Sequence, residues 1–235
     1  MNKSIDILKF SGCLLLLFVL PTLLYMMMLT NRQAGRISDA SAAYQMLIFA
    51  VAAALLLVPF YYLYRSLKWS GGYFIEPREM PPAQRLLWSA LYLALMLLVG
   101  TYGLDALGFL LDKPLAEPEN QQALIEWTRH LPMAVVLADV VLFAPLVEEW
   151  LFRGALFGLF GRTLESVDGK AAALAVSSLL FGFMHTGFDW PPLIMYGLMG
   201  TVLSGAYLHF RDIRYPIAVH MANNAVAIAS VYLSS

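Results

Sequence analysis

The chain has 235 residues, with 15 Lys and Arg against 16 Asp and Glu for a net charge of −1. Hydrophobic residues make up 60% and charged residues 13%, where a soluble domain carries about 25% charged residues, and the mean hydropathy is +0.68. These values exclude a soluble enzyme and a nucleic-acid-binding protein; they predict an all-α, polytopic transmembrane helical bundle. The single cysteine, Cys13, excludes an internal disulfide and a CxxC metal site.

Seven apolar runs approach the roughly 20 residues that cross a bilayer: 10–29, 43–64, 86–108, 131–152, 171–188, 192–209 and 215–233. The first follows Lys3 and Lys9, but it is long for a signal peptide and no A-x-A-like site comes directly after it, so it reads as a retained span. Between the second and third spans lies "SLKWSGGYFIEPREMPPAQR", punctuated by Gly71–Gly72 and Pro81–Pro82 and basic and aromatic enough to meet lipid headgroups. Between the third and fourth, "DKPLAEPENQQALIEWTRH" is polar and acidic, and its second half predicts a short interfacial helix anchored by Trp127. No repeat, Walker or Rossmann glycine pattern is present. Residues 1–130 carry no signature; the chemistry lies in 131–235.

With seven spans, Lys3, Lys9, Arg65, Lys68, Arg78, Arg85, Arg153, Arg162, Lys170, Arg211 and Arg214 share one side of the membrane. Arg32, Arg36, Lys113 and Arg129 are left on the other. Positive charge stays inside, which predicts a cytoplasmic N-terminus and an outer C-terminus.

The fourth span ends in "VEEWLFRGAL", two carboxylates and an arginine inside an apolar run. On a helix Glu149 and Arg153 stand at i,i+4 and can pair. Glu148 points about 100° away, with no partner in its own helix, and is the carboxylate left free to act as a general base. Ionisable residues at such depth mark function.

Two later spans add polar groups. "FGFMH" puts Phe181 and His185 on one helical face, and "HMANN" does the same for His220 and Asn224, with Asn223 one step round. His209 and His130, at span ends beside arginine, read as interfacial. These two glutamates, two histidines and one asparagine are taken as all the catalytic types in the apolar core. Counting from a turn near Ser166 puts Glu149 and His185 level, and His220 follows shortly after the turn at Asp212. Gly154 and Gly158, and the small residues Gly197, Gly200, Ser204 and Gly205, predict close helix packing. The expectation is a cavity reached from the cytoplasmic side.

The three motifs "EEWLFR", "FGFMH" and "HMANN" resemble the E-E-x-x-x-R, F-x-x-x-H and H-x-x-x-N/B motifs of the CPBP family. That family comprises intramembrane proteases, among them CAAX prenyl endopeptidases, with Abi relatives linked to bacteriocin processing and immunity. The likeness covers about residues 131–230. It implies peptide-bond hydrolysis by activated water: Glu148 as general base, His185 positioning the water and moving its proton, and His220 and Asn224 as oxyanion donors. Glu149 and Arg153 would hold the base, with Phe181 behind His185. It implies no cofactor, a membrane-associated, lipidated or peptide substrate, contact with membrane lipid, and a place in the plasma (inner) membrane.

Three alternatives stand beside it. Zinc bound by Glu148, Glu149, His185 and His220 would make the chain a metalloendopeptidase. A proton-coupled transporter also buries such groups, and Pro145 ahead of the glutamates could break span four. A bacteriocin-immunity-type protein would need no catalysis.

Overall fold

A computed structural model describes Gly12, residues 77–130 and residues 133–234, which apart from Gly12 fall in the compact unit Phe74–Ser235. The expected spans 10–29 and 43–64, Cys13, Gly71–Gly72 and both chain ends lie outside the described residues.

All regular structure among the described residues is helical. Helix α1 runs Pro82–Leu110, α2 Glu119–His130, α4 Val167–Thr186, α5 Trp190–Phe210 and α6 Arg214–Ser234. Between them α3, residues 133–160, is one helical run of five pieces: Met133–Val136, a π segment Leu137–Phe143, Ala144–Glu149, a second π segment Trp150–Leu156, and Phe157–Phe160. Four helices among the described residues (α1, α4, α5 and most of α6) are long and apolar enough to cross a membrane. The chain is a multi-pass membrane protein.

Sequence chemistry sets the ends. Pro82 sits in the first turn of α1, where its missing N–H costs nothing. Ser166 caps α4, its Oγ accepting the Gly169 N–H at 3.0 Å. Gly169 packs its backbone on the Thr163 carbonyl so closely that no side chain fits. Gly187, at φ 57°, closes α4, and Arg211, at φ 56°, closes α5. Asp212 then accepts the Arg214 backbone N–H at 3.0 Å and starts α6.

Pro145 does not break α3. A proline removes one donor from the i→i−4 ladder, and the run adjusts by widening: the Ala144 N–H donates to the Asp139 carbonyl, five residues back. Such π turns gather at functional sites, and here they flank both glutamates.

Helices α4 and α5 pack closest. A methyl group on Gly182 would lie 2.7 Å from the Leu193 carbonyl oxygen, and one on Gly200 3.0 Å from the Ser178 Cα. Thr201 Oγ1 donates to Ser178 Oγ at 3.1 Å across the same seam. Small residues let the backbones meet where lipid supplies no hydrophobic drive. The expected roles of Gly200 and Gly197 hold, the latter's backbone N lying 3.0 Å from a methyl group placed on Gly182; Gly205 stands at ordinary contact distance, and Gly158 faces open space. Helix α1 is antiparallel to α5: Gly205 lies against Tyr92, Gly100 against Met199 and Gly103 against Met195. Lys113, beyond α1, accordingly reaches the Trp190 ring.

Candidate active site

Glu148 and Glu149 end the α piece Ala144–Glu149, and the 100° step between neighbours on a helix turns them to different partners. Glu149, fully buried, accepts from Arg153 Nη1 at 2.8 Å and from His220 Nδ1 at 2.9 Å, both on Oε1. The i,i+4 pair expected from sequence is therefore present, with a third member. Arg153, also fully buried, donates further from Nη2 to the Gly200 carbonyl at 2.8 Å and approaches Ser204 Oγ from Nε at 3.4 Å. Its guanidinium lies 5.0 Å from the Phe181 ring centroid. Three bond partners and an aromatic face are the conditions under which a buried charge pair is tolerated.

Glu148 differs. Both glutamates leave a buried Oε2 without a hydrogen-bond partner among the described residues, but only the Glu148 carboxylate has no hydrogen bond to Arg153 or His220 and faces two imidazoles. Glu148 Oε2 lies 3.6 Å from His185 Nε2 and 3.8 Å from His220 Nε2, too far for hydrogen bonds. Both imidazoles are oriented from behind. His185 Nδ1 is 2.8 Å from the Phe181 carbonyl, an acceptor only, so Nδ1 carries the hydrogen; His220 Nδ1 donates to Glu149. In its neutral form each ring then presents a bare Nε2 to the same carboxylate oxygen. Three acceptor atoms facing one another with no donor between them suit a water molecule that donates to two of them.

The remaining predicted residues gather around this point. Phe181 stacks against His185 (centroids 4.4 Å, 35°) and meets His220 edge-on at 5.7 Å. Asn224 Nδ2 donates to the Val140 carbonyl in the first π segment at 2.9 Å, and Asn223 Nδ2 donates to Asn224 Oδ1 at 3.2 Å. His185, His220, Asn223 and Asn224 line a cavity of about 350 Å³. His209 stands apart in an aromatic cluster with Trp88 (4.4 Å) and Phe210 (5.1 Å); the His130 side chain is outside the described residues.

The sequence reading missed four residues. Asn223 is buried and reaches the cavity. Tyr196 stacks on His185 and lines the same space, and Asn120 donates to its hydroxyl at 3.1 Å; an aromatic in an apolar run gives no signal, and Asn120 reads as loop. Asp139, half-buried in the first π segment, contradicts the count of five polar core residues and was visible as an aspartate inside the fourth span. Trp127 anchors α2 as expected, but inward: it packs on the Leu124–Val136–Ile228 cluster and lines the cavity.

Cavity placement also differs from the expectation. Glu117, Asn120, Gln121 and Leu124 complete its wall, at the Trp190 end of the bundle and away from the basic turn at Gly161–Ser166. Glu148 and His185 meet, in keeping with the count that set Glu149 level with His185, and His185 lies 18 residues beyond Val167 in α4, about 27 Å along the helix and most of a bilayer core of about 30 Å. The pair therefore lies near the far end.

Glu149 Oε1 is committed to Arg153 and His220, and among the described residues no group of three or more His, Cys, Asp or Glu is arranged to hold an ion.

Residues 129–226 match the family model of the type II CAAX prenyl endopeptidases, Rce1-like. Over 111 residues the chain is 30% identical to the membrane-embedded CAAX protease MroQ of Staphylococcus aureus (strain USA300), covering 46% of this chain and 43% of that protein. It is 33% identical over 109 residues to the UPF0177 protein YajF of Lactococcus lactis subsp. lactis (strain IL1403), covering 46% and 51%, and 31% identical over 105 residues to YvdC of the same strain, covering 45% and 38%. The matched part thus spans about half the length of these relatives. No solved structure matches.

Proposed function

We propose that this chain, whose residues 129–226 match the Rce1-like endopeptidases, is an intramembrane peptidase that hydrolyses a peptide bond of a membrane-associated, lipidated or peptide substrate in the plasma membrane. The observation that carries the reading is the unpartnered Glu148 Oε2, held between two imidazole Nε2 atoms whose Nδ1 positions are fixed by Phe181 and Glu149.

A water over that triangle donates to Glu148 Oε2 and to one imidazole, which leaves a lone pair aimed into the cavity. Attack on a substrate carbonyl carbon forms the C–O bond as Glu148 takes the water's proton. The negative charge on the carbonyl oxygen meets the free N–H of Asn224 and the Nε2–H of His220, whose second ring proton is taken from solvent before the attack and whose charge Glu149 offsets; the water's second hydrogen then rests on His185. Donors placed in advance in a dry site act most strongly on a developing oxyanion. His185, 3.6 Å from Glu148, passes the proton to the departing amine as the C–N bond breaks. Glu149 and Arg153 touch no reacting atom; they fix His220 and the helix turn that carries Glu148.

The wall from α2 supports substrate access from the Trp190 end. Reconstituted protein given an internally quenched peptide with an apolar segment tests the reading: wild type should cleave it and Glu148→Gln should not, while both remain folded. Equal cleavage by the two proteins would overturn it.

A further inference from the structure

We propose that Tyr196 is a positioning residue that sets the plane of the His185 imidazole, and that Asn120 on α2 sets Tyr196 in turn. The inference rests on the peptidase reading above for its kinetic consequence, though not for its geometry.

His185 needs more support than its own helix gives. It is the penultimate residue of α4, followed by Thr186 and by Gly187 at φ 57°, and helix ends fray. The bond from Nδ1–H to the Phe181 carbonyl at 2.8 Å fixes one edge of the ring and the Phe181 ring meets it at 35°, which leaves a tilt about that edge away from Phe181 still open. Tilting carries Nε2 along an arc past Glu148 Oε2, only 3.6 Å away, so a small rotation undoes the water triangle.

Tyr196 blocks that rotation. Its ring lies nearly parallel to the imidazole, at 16° with centroids 4.8 Å apart, and it is itself buried at 8% exposure. Its hydroxyl oxygen accepts from Asn120 Nδ2 at 3.1 Å, between residues 76 positions apart. Asn120 stands in the first turn of α2, which Leu124 seats against Val136 of α3 and Ile228 of α6. A chain of contacts therefore leads from the cavity wall through Asn120 and Tyr196 to His185. A ring placed only to fill space needs neither a near-parallel stack nor a cross-helix bond to its hydroxyl.

The experiment uses the full chain in lipid nanodiscs with 15N-labelled histidine, of which it has four, beside the quenched-peptide assay. In the wild type, His185 should give one imidazole signal pair with Nδ1 protonated. Tyr196→Leu should move or broaden that pair and lower kcat about 10- to 100-fold, as a small misplacement of a reacting group does, with KM within about threefold. Tyr196→Phe and Asn120→Ala should each give the same smaller loss, and the double variant no more than either. Unchanged His185 signals in Tyr196→Leu, a rise in KM with kcat intact, or additive losses in the double variant would each overturn the proposal. Should Tyr196→Leu not fold, the Phe, Ala and double variants decide it alone. If Glu148→Gln cleaves as wild type does, the peptidase reading fails instead, and the histidine signals still judge the link between Tyr196 and His185.

Discussion

Glu149 holds the imidazole of His220 by a 2.9 Å hydrogen bond from Nδ1 to Oε1, between residues 71 positions apart. The same oxygen takes the Arg153 bond, so one buried atom ties α3 to α6 and selects the tautomer of a ring facing Glu148. Glu149→Gln is expected to leave Arg153 charged and buried without its counter-ion, a loss of about 3–5 kcal/mol. It should also free His220 to adopt the wrong tautomer; removing an orienting carboxylate elsewhere costs about 10⁴ in kcat. Thermal unfolding in detergent beside peptide turnover measures both.

The two neighbouring glutamates should separate cleanly in stability. Arg153→Leu strips partners from Glu149, the Gly200 carbonyl and Ser204 and should destabilise by several kcal/mol. Glu148→Gln removes a carboxylate whose Oε2 has no partner, so stability should hold or rise, because an unpaired buried charge is itself costly. A larger drop in melting temperature for Glu148→Gln than for Arg153→Leu would reverse the roles given to them.

Asn224→Ala tests the oxyanion assignment. Loss of such a donor costs about 10²–10³ in rate, with KM little changed. Because Asn224 Nδ2 also holds the Val140 carbonyl, the variant should lose about 1–3 kcal/mol of stability, and activity must be compared at matched folded fraction. Under the zinc alternative the same change would matter little, while phenanthroline would stop turnover and added zinc restore it.

At the start of α6, burial works to raise the Asp212 carboxyl, and the hydrogen bonds and charge of Arg214, with Arg85, outweigh it and hold the group below the usual carboxylate range. A depressed folded-state value contributes stability that is present above the ordinary value of about 3.9 and is lost as pH falls through the lower one. Asp212→Asn should therefore lower the melting temperature on the neutral limb and converge with wild type in acid, which flattens the acid limb of the profile.

Topology is open to labelling on a Cys13→Ser background. Glu165 and Asp189 are exposed, on turns at opposite ends of α4, so cysteines placed there should react from opposite faces of the membrane. The charge bias predicts that Glu165 is the cytoplasmic one. A Gln121 cysteine should share the face of Asp189, and labelling of Gln121 with Glu165 would refute the placement of the cavity wall.

What the sequence determined by itself was local. Apolar length marked α1, α4, α5 and α6, the turn near Ser166 was placed where α4 begins, and i,i+4 spacing gave the pairing of Glu149 with Arg153 and the contact of Phe181 with His185, because a helix repeats every 3.6 residues. The three motifs lie on the helices that meet around Glu148. What only the tertiary structure decided was every relation between helices. Pro145 widened α3 into π turns rather than breaking it, since neighbouring carbonyls five residues back remained available. Gly200 met Ser178 while Gly158 met nothing, a distinction no spacing encodes. Asn120 and Tyr196 joined His185 from segments without a signature. Glu149 took His220 as well as Arg153, and Glu148 was left facing two rings. Those outcomes depend on crossing geometry and on which buried polar atom reaches a partner first, and both arise only when the helices pack.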